Sequence, residues 1–174
     1  MISAATPREH TLSKTAVSLS AHLLSVCLSS PASPAAVRDC TVGIEGTSIK
    51  AGIIKCAHQT GVTWKAGEGF SRTGEVTLRA CARAAKATGL PITTHTEVAE
   101  RIGLAQCALF EEEGVDMNRV YIGHNNDSTD MDYLLEILGH GVWLGLDRTT
   151  ELADSPDWYA AQRKQAIRLS SCFF

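Results

Sequence analysis

No two of the six cysteines stand as a C-x-x-C pair; they are scattered at 27, 40, 56, 81, 107 and 172. That spacing sets aside a zinc knuckle and a thioredoxin-like redox motif. Cys81 and Cys107 sit inside apolar runs and read as small buried hydrophobes. A reducing, cytoplasmic compartment is the simplest reading. No apolar run approaches the roughly 20 residues a membrane helix needs, so no membrane partner is expected. Excess basic charge is lacking too. The net charge is -3, and no basic stripe marks a nucleic-acid partner. No G-x-G-x-x-G follows a strand candidate and no G-x-S-x-G occurs, so the dinucleotide fingerprint and the nucleophile elbow are missing. "GEGF" at 67–70 lacks the Lys-Ser/Thr of a phosphate loop. Acids are scarce at the start, where Glu9 is the sole one before Asp39. Residues 15–30, "TAVSLSAHLLSVCLSS", suggest the apolar centre of an N-terminal presequence. His22 and the serines interrupt it, so the favoured reading is a poorly ordered Ser/Ala-rich leader over 1–41. A folded domain over 42–174 follows.

What is present suits one globular domain. The chain has 174 residues, 44% hydrophobic and 20% charged, enough for a real core. "KAGIIKC" (50–56) reads as a strand buried on both faces. "TGEVTLRACARAAKATG" (73–89) reads as a helix capped by Thr73 and stopped by Gly89. "LPITTHT" (90–96) is a strand and 97–114 a helix ended by Gly114. "RVYIGH" (119–124) is a strand, and "DMDYLLEILGHG" (130–141) a helix with Asp130 as N-cap. "GVWLGLD" (141–147) is a strand, and 156–170 a helix with Pro156 near its start. Strands alternating with helices mean a parallel sheet, either an open doubly wound sheet or a (β/α)8 barrel.

Each strand candidate ends on an ionisable side chain: Lys55, His95, His124 and Asp147. In a parallel α/β fold all strand ends share one face, where ligands bind. The two histidines suit zinc and similar ions. Lys55 has two readings. Its stem can pack while its ammonium reaches solvent. Alternatively, a desolvated, neutral amine can add carbon dioxide and become a carboxylate-like metal ligand. Glu111, Glu112 and Glu113 read as a solvated face. Asp127 reads as a hydrogen-bonding neighbour of His124, His58 as a pocket candidate, and Trp64 and Trp143 as core or pocket wall.

"GIEGTSIKAGIIKCA", "GLPITTHT", "GVDMNRVYIGHNND" and "GVWLGLDR" together resemble the bacterial phosphotriesterase family of the amidohydrolase superfamily. That family includes aryldialkylphosphatases and phosphotriesterase-like lactonases. The resemblance covers about residues 42–170. It implies an α/β fold, a partial TIM (β/α)8 barrel of about four βα units corresponding to barrel strands 4–7. It further implies that Lys55 is the carboxylated lysine bridging two metals, that His95 and His124 are metal ligands, and that Asp147 and Arg148 line the substrate pocket. Catalytic roles therefore fall to Lys55, His95 and His124. The implied cofactor is a divalent metal, zinc best of all, with a carbamate on Lys55. The implied activity is hydrolysis of a small organophosphate triester, ester or lactone by a metal-activated hydroxide. Two family features have no counterpart: no H-x-H occurs, and no strand-eight aspartate precedes the closing "RLSSCFF". At most one metal and an impaired activity are therefore expected. The alternative is a non-catalytic half-barrel that persists by association with another chain, including a second copy in a homo-oligomer.

Overall fold

The computed structural model describes residues 34–148. The leader as far as residue 33 and the helix expected at 156–170 lie outside the described residues. Residues 34–41, assigned to the leader, instead form helix α1 (Pro34–Thr41), with proline at its first position. Helix α1 buries Ala36 and Asp39 and packs on the long helix that follows. The packed unit thus extends upstream of the boundary expected at residue 42.

Strand β1 (Ile54–His58) is followed by a short antiparallel hairpin, β2 (Trp64–Lys65) and β3 (Gly69–Phe70). The sequence pattern marks no strand in that stretch. Helix α2 (Arg72–Thr88) starts two residues earlier than a Thr73 cap implies, because Ser71 is its cap. The Ser71 side chain accepts from the Gly74 N–H at 3.1 Å. Gly89 adopts φ 71° and ends the helix as anticipated. Strand β4 (Ile92–Thr96) leads into helix α3 (Ile102–Glu112). Helix α3 begins several residues late, because Glu100 and Arg101 both take positive φ, 54° and 56°, and break the helical path. Strand β5 (Val120–Ile122), helix α4 (Met131–Gly139) and strand β6 (Trp143–Leu144) complete the order. Asp130 caps α4 by accepting from the Tyr133 N–H at 3.1 Å.

The four main strands lie side by side as β1-β4-β5-β6, all parallel. Each strand joins the edge of the one before it, and the order never reverses. A doubly wound sheet reverses at a switch point, whereas a barrel wall advances in one direction. Side-chain burial agrees. Ile54, Cys56, His58, Ile92, Thr94, Thr96, Val120 and Ile122 are all buried on the helix side. There they meet Leu78, Cys81, Phe110, Leu134 and Ile137 in one core. Fully burying an aliphatic or aromatic side chain of this size contributes about 1.5–3 kcal/mol.

The alternate residues, Lys55, Ala57, Thr93, His95 and Tyr121, point to the opposite face and are half-buried or exposed. The expectation that β1 is buried on both faces therefore fails: Ile53 is 47% exposed and Ala57 is exposed. Trp143, read as core or pocket wall, is 66% exposed and donates its indole N–H to the Asn118 carbonyl. Trp64 is buried, as read.

The acidic run at 111–113 is not a uniformly solvated face. Glu112 is exposed, but the Glu113 side chain is only 11% exposed. Glu113 accepts from Arg79 at 2.8 Å and from Arg83 at 2.8 Å. These bonds, Arg83's first, hold its carboxyl down at about 2 against the opposing effect of burial. The pairs tie α3 to α2. Among the described residues no helix is long and apolar enough to cross a membrane.

Candidate metal centre

Of the polar residues singled out in the sequence, His95, His124 and Asp147 gather at the C-terminal ends of β4, β5 and β6, at the rim of the open face. His95 is the fourth of the five residues of β4. His124 follows β5 in the left-handed region, φ 64° and ψ 23°. Non-glycine residues rarely adopt that conformation, and where they do the surroundings enforce it.

Here the enforcement is visible. The His124 backbone N–H and its ring Nδ1–H both donate to Asp147 Oδ1, each at 2.9 Å. Tyr121 donates its hydroxyl to Asp147 Oδ2 at 3.2 Å. The Asn125 N–H donates to Gly145 O at 2.8 Å, and the Gly145 N–H returns to Ile122 O at 2.7 Å. Residue 123 must be glycine, since a Cβ there would overlap the Thr94 carbonyl oxygen. The turn is pinned on both sides, and its left-handed residue aims a ring along the rim.

Asp147 also decides which His124 nitrogen is free. With Nδ1 carrying a proton toward the carboxylate, Nε2 keeps its lone pair. That Nε2 lies 2.9 Å from His95 Nδ1, with the rings edge to face at 75°. His95 Nδ1–H therefore donates to it. Burial lowers the His95 pKa first, and the neighbouring His124 and the cationic Arg148 and Lys55 lower it further. Burial opposes the charge on Asp147, but the hydrogen bonds from His124 outweigh it and lower its pKa. For Tyr121, burial and then the Asp147 carboxylate raise the pKa.

Lys55 is not at its strand end. It is the second residue of β1, paired with Thr93, while Ala57 pairs with His95. It therefore lies one pleat below His95 on the same face, about 6.6 Å along the strand. A long, unbranched side chain bridges that interval and a short carboxylate would not. Burial lowers the Lys55 pKa, and the Asp147 charge works the other way.

The remaining candidates separate. Arg148 donates to Asp127 Oδ2 at 2.7 Å, and its backbone N–H to Asn126 Oδ1 at 3.2 Å. Asp127 thus partners Arg148, whereas Asp147 is the carboxylate that orients His124. His58 is fully buried on the helix side of the sheet, because it lies three residues from Lys55 and strand parity sends the two to opposite faces. It lines no pocket on the open face. Tyr121 and Gly123 belong to the site but carried no distinguishing signal in the sequence. Tyr121 shares the side-chain parity of Lys55 and His95 only once the sheet register is known.

Among the described residues no three His, Cys, Asp or Glu side chains converge as a metal cluster. Two imidazole nitrogens do face one another, and a third donor must be of another kind. Two nitrogens on a tetrahedral zinc at 2.0–2.1 Å sit about 3.4 Å apart. The observed 2.9 Å opens to that value with a small ring adjustment, provided His95 moves its proton to Nε2. The donor set fits a divalent ion in kind.

A one-directional parallel sheet, helices on its outer face and donors at its carboxyl rim define a section of a (β/α)8 barrel. The sequence model of the Phosphotriesterase family matches residues 26–169, and the chain belongs to that family. A phosphotriesterase homology protein of Mycobacterium tuberculosis is 50% identical over 112 residues, 64% of this chain and 32% of that protein. An aryldialkylphosphatase of Saccharolobus solfataricus is 38% identical over 112 residues, 64% of this chain and 33% of that protein. The chain spans about a third of the length of these curated relatives. Among solved structures, the phosphotriesterase from M. tuberculosis superposes with a TM-score of 0.67 at 44% identity, covering 78% of this chain and 39% of the other. An organophosphorus hydrolase from Deinococcus radiodurans gives 0.65 at 32% identity, with the same coverages.

Proposed function

We propose that this chain holds one divalent metal ion, zinc being best suited to the donors, between His95, His124 and a carbamylated Lys55. We further propose that it serves the hydrolysis of a small organophosphate triester, ester or lactone. The observation that carries this reading is the convergence of His95 Nδ1 and His124 Nε2 at adjacent strand ends, with Asp147 fixing the His124 tautomer. The names aryldialkylphosphatase and organophosphorus hydrolase, borne by relatives, support the substrate class.

The chain's own residues have distinct tasks. Asp147 holds the His124 ring and keeps its proton on Nδ1. Lys55, drawn toward the neutral amine by burial, adds carbon dioxide: its Nζ lone pair forms the N–C bond, and one proton leaves to solvent. The resulting carbamate supplies an anionic oxygen donor at the level of the histidines. Arg148 contributes positive potential beside His95, which favours an electron-rich phosphoryl or carbonyl oxygen at the rim. The chemistry such an ion supplies when bound is Lewis acidity toward that oxygen and an increased acidity of water. The resemblance implies that an H-x-H pair holds a second ion, and no such pair is present in the sequence, so one ion is the expected stoichiometry.

Elemental analysis of the purified 174-residue chain tests this. We expect up to one zinc per chain, lost in His95→Ala and in Lys55→Ala, and a carbamate carbonyl resonance after equilibration with 13C-bicarbonate. Absence of metal in the unsubstituted chain after zinc dialysis overturns the reading. The exposed Ala57 and Trp143 on the open face favour a second reading, a non-catalytic half-barrel whose open face packs on another chain. A monodisperse monomer in size-exclusion chromatography counts against that second reading.

A further inference from the structure

On the helix side of the sheet, opposite Lys55 and His95, lies a second polar system. His58, Thr94, Thr96 and Gln106 are each at most 1% exposed. They are linked in one unbroken chain. The His58 ring Nε2 meets Gly74 O at 3.2 Å, and its Nδ1 meets Gln106 Nε2 at 3.0 Å. Gln106 Oε1 accepts from the Thr96 hydroxyl at 2.8 Å. Thr96 Oγ1 lies 2.6 Å from Thr94 Oγ1, and Thr94 Oγ1 accepts from the Gly123 N–H at 3.1 Å.

The chemistry of the two ends fixes every proton between them. Gly74 O can only accept, so His58 Nε2 carries the hydrogen and Nδ1 accepts. Gln106 therefore turns its amide NH2 to His58 and its oxygen to Thr96. Thr96 donates to Gln106, so Thr94 donates to Thr96. Gly123 N–H then donates to Thr94. All five bonds run in one direction, from Gly123 on the β5 turn to Gly74 in the first turn of α2. Buried groups without partners cost about 1–3 kcal/mol each, so the loss of any member weakens the whole chain of bonds. It joins β1, α2, α3, β4 and the β5 turn through side chains that bear no local sequence signature.

We propose that this buried chain is a positioning device for His124. Gly123 is the residue before it, and the Thr94 hydroxyl is the side-chain partner of the Gly123 N–H. Asp147 pulls the turn from the open side through the His124 N–H and ring. Thr94 pulls it from the covered side. His124 stays in its left-handed conformation because its peptide neighbourhood is held from both directions. This role rests on the reading of His124 as a metal ligand, and it assigns to Thr94, Thr96, Gln106 and His58 a function none has through direct contact with metal or substrate.

The test uses Thr94→Val, which keeps the shape and removes the hydroxyl, with Thr94→Ser as the conservative rescue. Zinc affinity of the full chain is measured by competition with a chromophoric chelator. In the metal-free chain, nitrogen-15 NMR reads the His124 ring N–H hydrogen-bonded to Asp147 and the exchange rate of the Gly123 amide. Thr94→Val is expected to weaken zinc binding 10–100-fold, the range found for groups that orient ligands. It should also broaden or shift the His124 ring signal and speed Gly123 exchange at least tenfold. Thr94→Ser should restore all three, and Gln106→Met should move them in the same sense by a smaller factor. An unchanged His124 ring signal in folded Thr94→Val overturns the inference, as does unchanged zinc affinity where the unsubstituted chain binds zinc. If the unsubstituted chain binds no zinc, the metal reading fails by itself, and the metal-free NMR comparison still decides the positioning role. If Thr94→Val does not fold, the Gln106→Met and Thr94→Ser spectra decide it: a His124 ring signal identical in both overturns the role.

Discussion

The two faces of the sheet are built from the same strands and hold polar groups in opposite ways. On the covered face, His58, Thr94 and Thr96 sit among aliphatic residues with their hydrogen bonds closed on one another and on Gln106. On the open face, Lys55, His95 and Tyr121 leave donors and lone pairs turned toward one rim. Burial makes unpaired polar atoms costly, and on the covered face His58, Thr94 and Thr96 form a completed network with Gln106. The open face, nearer solvent, can keep unsatisfied valences for a ligand. One residue of strand offset decides which regime a side chain enters.

That contrast can be broken at several points. The largest stability effect belongs to the covered face. Ile92→Ala, at a fully buried position, should cost about 2–4 kcal/mol in denaturant unfolding, whereas Ala57→Ser on the open face should stay within about 0.5 kcal/mol. Equal losses at the two positions would show that the open face is covered in solution. Next in size is Asp147→Asn. It retains the shape but loses the charge that orders His124, so zinc affinity should fall 10–100-fold with little change in unfolding midpoint. A midpoint that falls as far as the affinity would make Asp147 a structural residue instead.

The smallest effect tests a pair distant from both faces. Glu113 is held down at about 2 by Arg83 and Arg79, below its unfolded value of about 4.3. A depressed carboxyl stabilises the fold above its unfolded pKa, and that contribution is lost as pH falls from about 5 toward 2. Partial solvent screening of Arg79 and Arg83 reduces the contribution to about 1 kcal/mol. Glu113→Gln should therefore lower stability at pH 7 by that amount and leave it unchanged near pH 2. A constant difference across the range would rule out the ion pairs as its cause.

Much of the fold is legible locally. Asp130 and Gly89 announce helix ends because capping needs only the few residues around it. The βα alternation follows from hydrophobic period. The late start of α3 was hidden, since two consecutive left-handed residues at Glu100 and Arg101 have no composition signal. The β2–β3 hairpin was hidden too, being only two residues per strand. His95, His124 and Asp147 were visible as polar strand ends. Their division of labour was not, because it depends on which nitrogen faces which oxygen.

Residue type and short spacing alone fix the order of the elements, the caps at helix ends, and the placing of the histidines and Asp147 near the carboxyl ends of parallel strands. Packing and register, not local pattern, put Lys55 one pleat below His95, turn Asp147 to His124 and Arg148 to Asp127, and send His58 to the opposite face. Those outcomes rest on strand register and on a left-handed turn held by partners 23 to 29 residues away, and no local pattern encodes contacts at that range.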